Sequence, residues 1–256
     1  MKMTHKNQKH EFALYWHDLS EYIKQYSEHS LFQITDQHLV HRIVSVLRLK
    51  QEDAFVLFDK HKHVHVELGS STKKQCIVEV KSIDSNKLLQ PKITFGLPLL
   101  KREAFENALY SLVECGVTAI QPIVTTKVHK ASWSEKESER AKKIVIAASE
   151  QSKQYAIPDI NSPVVLSDFV RSFLKTFTDL VFFDPEGQPL GHYFKNIEAK
   201  SHDKHFFLLI GPEWDLTQDE KELLKKTGFV FLGLTPTIVR AQQAASLSAG
   251  IFRALL

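Results

Sequence analysis

Two stretches of this sequence place turn-forming and polar residues directly after apolar runs. One is Leu208-Leu209-Ile210-Gly211-Pro212-Glu213. The other is Phe231-Leu232-Gly233-Leu234-Thr235-Pro236, which continues through Ile238-Val239 to Arg240. In an open parallel sheet, ligands sit beyond the carboxyl ends of the strands, so both are places where chemistry could be done. From spacing alone they are equally ordinary strand-to-helix loops. No GxGxxG, no Walker A and no GxSxG elbow is present, which excludes the usual dinucleotide, P-loop and serine-hydrolase signatures. His61, His63 and His65 alternate as strand residues do and lack metal-ligand spacing, and Cys76 and Cys115 form no CxxC pair. No metal is therefore expected, and Cys115, at the end of an apolar helical pattern, reads as a small core residue.

The elements that must position these loops can be read from the hydrophobic rhythm. Before residue 90 the chain reads as short strands: Ala54–Phe58, the alternating His63–Leu68, and Gln75–Lys81, with Asp59-Lys60 and Gly69–Thr72 as turns. Ser82 to Pro91 reads as a linker. Beyond it, strand and helix alternate. Ile93–Leu97 is a strand, and Glu103 to Cys115 carries apolar residues at i, i+3/i+4 spacing up to the stop at Gly116. Ala119–Val124 is a strand and Ser134–Tyr155 a charged helix. Leu180–Phe183, Phe206–Ile210 and Phe229–Leu234 are buried-strand runs. Thr217-Gln218-Asp219-Glu220 is a capping box opening a helix that stops at Gly228, and a last helix covers about Ala241–Leu255. This predicts an α/β protein in two parts, 1–87 with a small sheet or barrel and 88–256 with a mostly parallel sheet covered on both faces.

Bulk composition is that of a soluble globular chain: 256 residues, 43% hydrophobic, 25% charged, net charge +3. A pI near 8.7 permits a nucleic-acid partner without requiring one. The start, Met1 to Glu11, is polar, and no run approaches the roughly 18 apolar residues of a membrane span, so a cytoplasmic protein with no membrane partner is expected.

Five motifs in order along residues 36–256 resemble those of the RsmE-type ribosomal RNA methyltransferases of the SPOUT superfamily. Val46-Leu47-Arg48-Leu49-Lys50, with Asp53 and Leu57-Phe58-Asp59, is similar to "VLRLK.GD…LFDG". Lys101 followed by Glu114-Cys115-Gly116-Val117 is similar to "K…ELGV". Glu150-Gln151-Ser152 before Ile157-Pro158 is similar to "EQS.R..IP". Ile210-Gly211-Pro212-Glu213 resembles "GPEGG", and Leu234 to Arg240 resembles "LGPRILR".

The resemblance implies an N-terminal PUA-like β-barrel for RNA and a C-terminal domain tied in a trefoil knot, a rare topology. It implies S-adenosyl-L-methionine as cofactor, a homodimer, and methylation of a uridine N3 in bacterial small-subunit (16S) ribosomal RNA, free or in the assembled subunit. Carried over by position, the cofactor contacts are Phe183, Leu209, Ile210, Gly211, Pro212, Leu234, Thr235, Pro236 and Ile238. Arg48, Lys50, Lys101 and Lys127 are the expected RNA contacts. A cofactor with a sulfonium and no phosphate suits backbone groups at strand ends with apolar walls. Arg240 is the expected catalytic cation, since N3 of uracil must lose its proton and an adjacent positive group stabilises the developing anion. Glu213 is expected to orient cofactor or substrate, or to fix its loop.

The sequence departs from the family at the same loops. Trp214-Asp215 stands for the second half of "GPEGG", Thr235 and Thr237 for a Gly and an Arg of "LGPR", and Ala241-Gln242-Gln243 for "TET". Ser111 and Gln154 stand where Lys and Arg are usual. These changes keep a second reading open: a non-catalytic RNA-binding or ribosome-assembly protein on the same scaffold.

Overall fold

The computed structural model describes residues 11–128, 133–196 (the backbone alone at 196) and 204–256, and the chain divides into two units, Met1–Lys87 and Leu88–Leu256. In the first unit the elements are β1 (Phe12–Tyr15), α1 (Leu19–Tyr22), β2 (Leu31–Ile34), α2 (Gln37–His41), β3 (Ala54–Phe58), β4 (Lys62–Ser71) and β5 (Cys76–Ser85). They build a five-stranded sheet in the order β1-β3-β4-β5-β2, antiparallel except for the parallel β1–β3 pair. Inward residues of alternating strands, such as Leu57, Val64, Val66 and Val78, form its core with Ile43 and Leu39 from the α2 region. Two sequence expectations change here. The turn read at Gly69–Thr72 lies mostly inside β4, because the ladder to β5 shifts register between Leu68 and Ser70, a bulge that glycine accommodates. The linker read from Ser82 begins later, since Ser82–Ser85 continue β5 opposite Lys62–His65.

The second unit contains β6 (Lys92–Pro98), α3 (Arg102–Glu114), β7 (Ala119–Val124), α4 (Glu135–Ser152), β8 (Asp159–Ile160), β9 (Val164–Val165), α5 (Leu166–Ser172), β10 (Asp179–Pro189), α6 (Leu190–Asn196), β11 (His205–Ile210), α7 (Gln218–Lys226), β12 (Val230–Gly233) and α8 (Ala241–Leu255). Every strand pair is parallel, in the order β12-β10-β11-β6-β7-β8, with β9 beside β7. Period-two alternation sends Phe206, Leu208 and Ile210 to one face, against α3, α4 and α8. It sends Phe207 and Leu209 to the other, against α5 and α7. That double burial is why β11 reads as an unbroken apolar run.

Capping residues set the helix starts. Ser134 and Glu137 form a reciprocal capping box on α4, and Thr217 and Glu220 form the one expected on α7. Gly116, at φ 76°, terminates α3 where a side chain would be strained. The final helix is held at two points. Fully buried Phe252 contacts the rings of Phe183, Tyr193, Phe194 and Phe206 at centroid distances of 5.0 to 6.0 Å. Arg253 donates from its guanidinium to the carbonyls of Pro91 (3.0 Å) and Gly116 (2.7 Å). Truncating a phenylalanine packed this way costs about 3–5 kcal/mol.

Candidate active site

Three neighbouring strands, β12, β10 and β11, run parallel and release their carboxyl ends on the same edge of the sheet. Both loops singled out in the sequence therefore lie there, and the end of β10 lies between them. β10 does not stop at Phe183 as its apolar run suggests. Asp184-Pro185-Glu186-Gly187 arches out, and the strand then resumes: Leu232 is opposite Phe183 before the arch and opposite Gln188 after it, while Gly233 faces Pro189. The arch closes tightly on β12. A Cβ on Gly187 would lie 2.5 Å from both the backbone N and C of Leu232, and one on Gly233 would lie 3.1 Å from the carbonyl oxygen of Gly187. The absence of side chains at these two positions is what lets the two backbones touch.

An ion cluster with one buried carboxylate joins the arch to the loop after β11. The Lys221 ammonium, on α7, lies 2.7 Å from a carboxylate oxygen of Asp184 and 2.7 Å from one of Asp215. Burial alone would lower the lysine pKa, but the two carboxylates override it and hold it above the ordinary value. Asp184 is almost wholly buried (3% side-chain exposure), and its other oxygen accepts from the Glu186 N–H at 2.8 Å. Asp215 adopts the left-handed conformation at φ 59°, which explains how the chain tolerates losing a family glycine here: Asp is among the few other residues that visit this region readily. Of the three, Asp215 stood out in the sequence only as a departure from the family motif, and Asp184 and Lys221 were not singled out. Asp, Pro and Gly together at 184–187 are a turn signal that could have pointed to the arch, whereas nothing local distinguishes Lys221 from the other charges of α7.

The expected site residues fall into distinct settings. Gly211 and Pro212 form the turn after β11, closed by the Asp215 N–H donating to the Pro212 carbonyl at 3.0 Å. Leu209 and Ile210 are buried on opposite faces of the sheet, and Phe183 is packed edge-on against Phe252, so their backbone, and not their side chains, is what the strand ends present. Glu213 accepts a hydrogen bond at 2.9 Å from the backbone N–H of Lys101, just ahead of α3; its carboxylate is engaged in fastening this loop. The Lys127 ammonium donates to the carbonyls of Trp214 (3.1 Å) and Leu216 (3.3 Å), a tether for the same turn. Glu220 adds another, accepting from the backbone N–H and hydroxyl of Thr126.

After β12, Leu234 is half-buried against the core, and Thr235 closes a small turn by donating its hydroxyl to the Thr237 carbonyl. Pro236 and Arg240 are exposed, and Ile238 is 86% exposed, a large apolar side chain facing solvent. The backbone N–H groups of Thr235, Thr237, Ile238 and Val239 have no protein partner among the described residues. Arg240 caps α8 through its carbonyl, which accepts from Ala244 N–H at 2.8 Å, while its guanidinium makes no ion pair among those residues. Arg48 (φ 54°) and Lys50, both exposed, belong to the first unit, where the Lys50 N–H donates to Asp53. Among the described residues no cluster of His, Cys, Asp and Glu has metal-binding geometry, and no helix is long and apolar enough to cross a membrane.

The donor set at the edge of this sheet fits a ligand bound chiefly by main-chain groups against apolar side chains. It offers unspent N–H groups after β12, half-buried Leu234, and no phosphate-cradling glycine loop. The family comparison bears directly on that fit. Residues 87–253 match the family model described as the RNA methyltransferase domain, and the chain belongs to that family. Its relatives include the ribosomal RNA small subunit methyltransferase E of Rickettsia conorii, 27% identical over 86% of this chain and 88% of that protein. The enzyme of the same name from Synechocystis is 28% identical over 85% and 71%. In fold the chain is similar to ribosomal RNA small subunit methyltransferase E of Neisseria gonorrhoeae bound to S-adenosyl methionine (TM-score 0.79, 24% identity, 96% of this chain and 98% of that one). A Legionella pneumophila protein in complex with the same cofactor is alike to a similar degree (TM-score 0.78, 23% identity, 96% and 98%).

Proposed function

We propose that the chain methylates N3 of a uridine in small-subunit ribosomal RNA, with S-adenosylmethionine as methyl donor. The observation that carries this reading is the convergence of the β10, β11 and β12 ends, with the 184–187 arch closed on β12, in a member of an RNA methyltransferase family. The relatives act, by their names, on the small-subunit RNA, and solved structures of the same fold carry the cofactor. We read the 184–187 arch closed on Leu232 and Gly233 as part of the trefoil knot that the family resemblance implies. The first unit, residues 1–87, is read as a PUA-like RNA-binding domain carrying Arg48 and Lys50. The exposed Leu247 and Leu255 on α8 suit burial against a second copy in a homodimer.

In this reading the main chain at Leu209–Pro212 and Leu234–Ile238 holds the cofactor, which supplies an electrophilic methyl group. Glu213 and Lys127 act by fixing the first of these loops. Arg240, whose guanidinium makes no ion pair among the described residues, faces the uracil carbonyls and stabilises the anion left when N3 loses its proton. The test is methyl transfer from labelled S-adenosylmethionine to small subunits lacking uridine N3 methylation. Incorporation at one uridine is expected. No incorporation by folded protein would overturn the reading in favour of a non-catalytic RNA-binding protein.

A further inference from the structure

The turn that replaces the family's glycines presents a large aromatic side chain outward on a rigid mount. Trp214 is 67% exposed, and its ring has no aromatic partner in the protein among the described residues. Its backbone, by contrast, is fixed from every side. Glu213 is bonded to Lys101, Lys127 holds the Trp214 and Leu216 carbonyls, and Asp215 is bonded to Pro212 and locked to Lys221. A lone exposed tryptophan on a mobile loop would call for no explanation. One held on so many tethers beside the strand ends is pre-organised to meet a flat ligand, because little conformational freedom remains to be lost on contact.

A cationic groove begins at the same fastening point. Lys101, whose N–H binds Glu213, lines a groove of about 770 Å³ between α3 and α4. Its lining includes Leu100, Phe105 and Trp133, and Lys136 and Lys143 of α4. Lys136 and Lys143, seven residues apart, lie on one face of the helix, and neither forms a salt bridge among the described residues. The acidic side chains along the groove have partners of their own: Glu106 is held by Arg102 and Arg140, Glu137 by the Ser134 cap, and Glu139 chiefly by Lys142, with Lys143 acting on it at longer range. A groove carrying Lys136 and Lys143, joined through Lys101 to the loop that presents Trp214, supplies the two needs of a single nucleic-acid strand, charge for the backbone and a π-face for a base.

We infer that Trp214 is a stacking platform for a base of the RNA substrate next to the target, with the adjoining phosphates facing Lys136 and Lys143. This rests on the proposed RNA methyltransferase function but adds a specificity-determining residue where relatives of the motif have glycine. It acts on RNA binding, not on the reacting atoms.

The test compares full-length wild type, Trp214→Ala, Trp214→Phe and the double variant Lys136→Ala/Lys143→Ala. Its readouts are methyl transfer to undermethylated small-subunit RNA, filter binding of that RNA, calorimetric S-adenosylmethionine binding, and oligomeric mass. Trp214→Ala should raise the KM and Kd for RNA roughly ten- to a hundredfold, the range of single base–aromatic stacks, with cofactor affinity within about twofold. Trp214→Phe should restore most of the loss. The lysine pair should lower the salt dependence of RNA binding by roughly one to two in slope. The inference is overturned if Trp214→Ala leaves RNA affinity unchanged, if cofactor affinity falls in its place, or if the variant merely changes oligomeric mass. A wild type that binds RNA without transferring methyl groups would overturn the enzymatic reading alone, and the binding arm would still decide the role of Trp214.

Discussion

Replacing Lys221 with Met should destabilise the second unit by about 3 kcal/mol and loosen both loops of the site. The magnitude follows from burial. Removing one partner of a buried ion pair costs about 3–5 kcal/mol because the remaining charge is left uncompensated. Asp184, at 3% side-chain exposure, is such a charge, and among the described residues it would retain only the Glu186 N–H. Asp215, at 53%, is hydrated once released and adds little, which places the total near the lower end. A loss of this size corresponds to a fall in Tm of roughly 6–12 °C for a chain of this length. The assay is calorimetric unfolding of Lys221→Met and Asp184→Asn, each alone and the two combined, with cofactor affinity measured on each. The second substitution removes the stranded charge, so the double variant should recover a substantial part of the loss. A single variant within about 0.5 kcal/mol of wild type, or a double variant destabilised by the sum of both singles, would refute the argument. The sign of the pH effect is fixed as well. Lys221 has a folded pKa above its unfolded value, so its contribution is complete below about pH 10.5 and is lost as pH rises through the folded value.

Arg240→Ala should reduce methyl transfer by roughly 10²–10³ with little change in cofactor binding, the usual cost of removing one preorganised group from a developing anion; equal loss of both would remove its assignment. Gly187→Ala sets a Cβ 2.5 Å from the backbone of Leu232, so folding yield and cofactor binding, read by near-ultraviolet dichroism and titration, should fall together. Deleting α8 from Ala241 removes Phe252 from its ring cluster and should abolish cofactor binding and dimer formation together, as read by calorimetry and light scattering. His205 is half-buried, bonded to Thr94 at 2.9 Å, and this partial burial, with the nearby Lys92 charge, holds its pKa below 6.5. Folding stability should therefore decline as pH falls below about 6.5, where the unfolded chain takes up the proton first, and level off beneath the folded pKa. His205→Gln should flatten that part of the curve in a denaturant series.

Much of the second unit was determined by local sequence. Apolar runs as long as Phe206–Ile210 have only a parallel strand buried on both faces to occupy, and the Thr217–Glu220 capping box, Gly116 and the spacing of α8 mark helix ends by backbone chemistry alone. The two strand-end loops were legible as places for a ligand because they follow such runs. Pairings distant in sequence were not legible. The resumption of β10 at Gln188 exists only because Leu232 and Gly233 lie beside it, and no local pattern in Asp184-Pro185-Glu186-Gly187 announces that partner. For Glu213 the sequence left open orienting a ligand or fixing its loop, and for Lys127 it implied an RNA contact; tertiary structure engages both in holding a turn. Lys221 carries no local signal and bridges two loops only because the fold brings Asp184 and Asp215 to either side of one ammonium. Periodicity and capping act over a few residues and are written in order along the chain. Charge pairing and backbone contact act through space, and the sheet decides which residues share it.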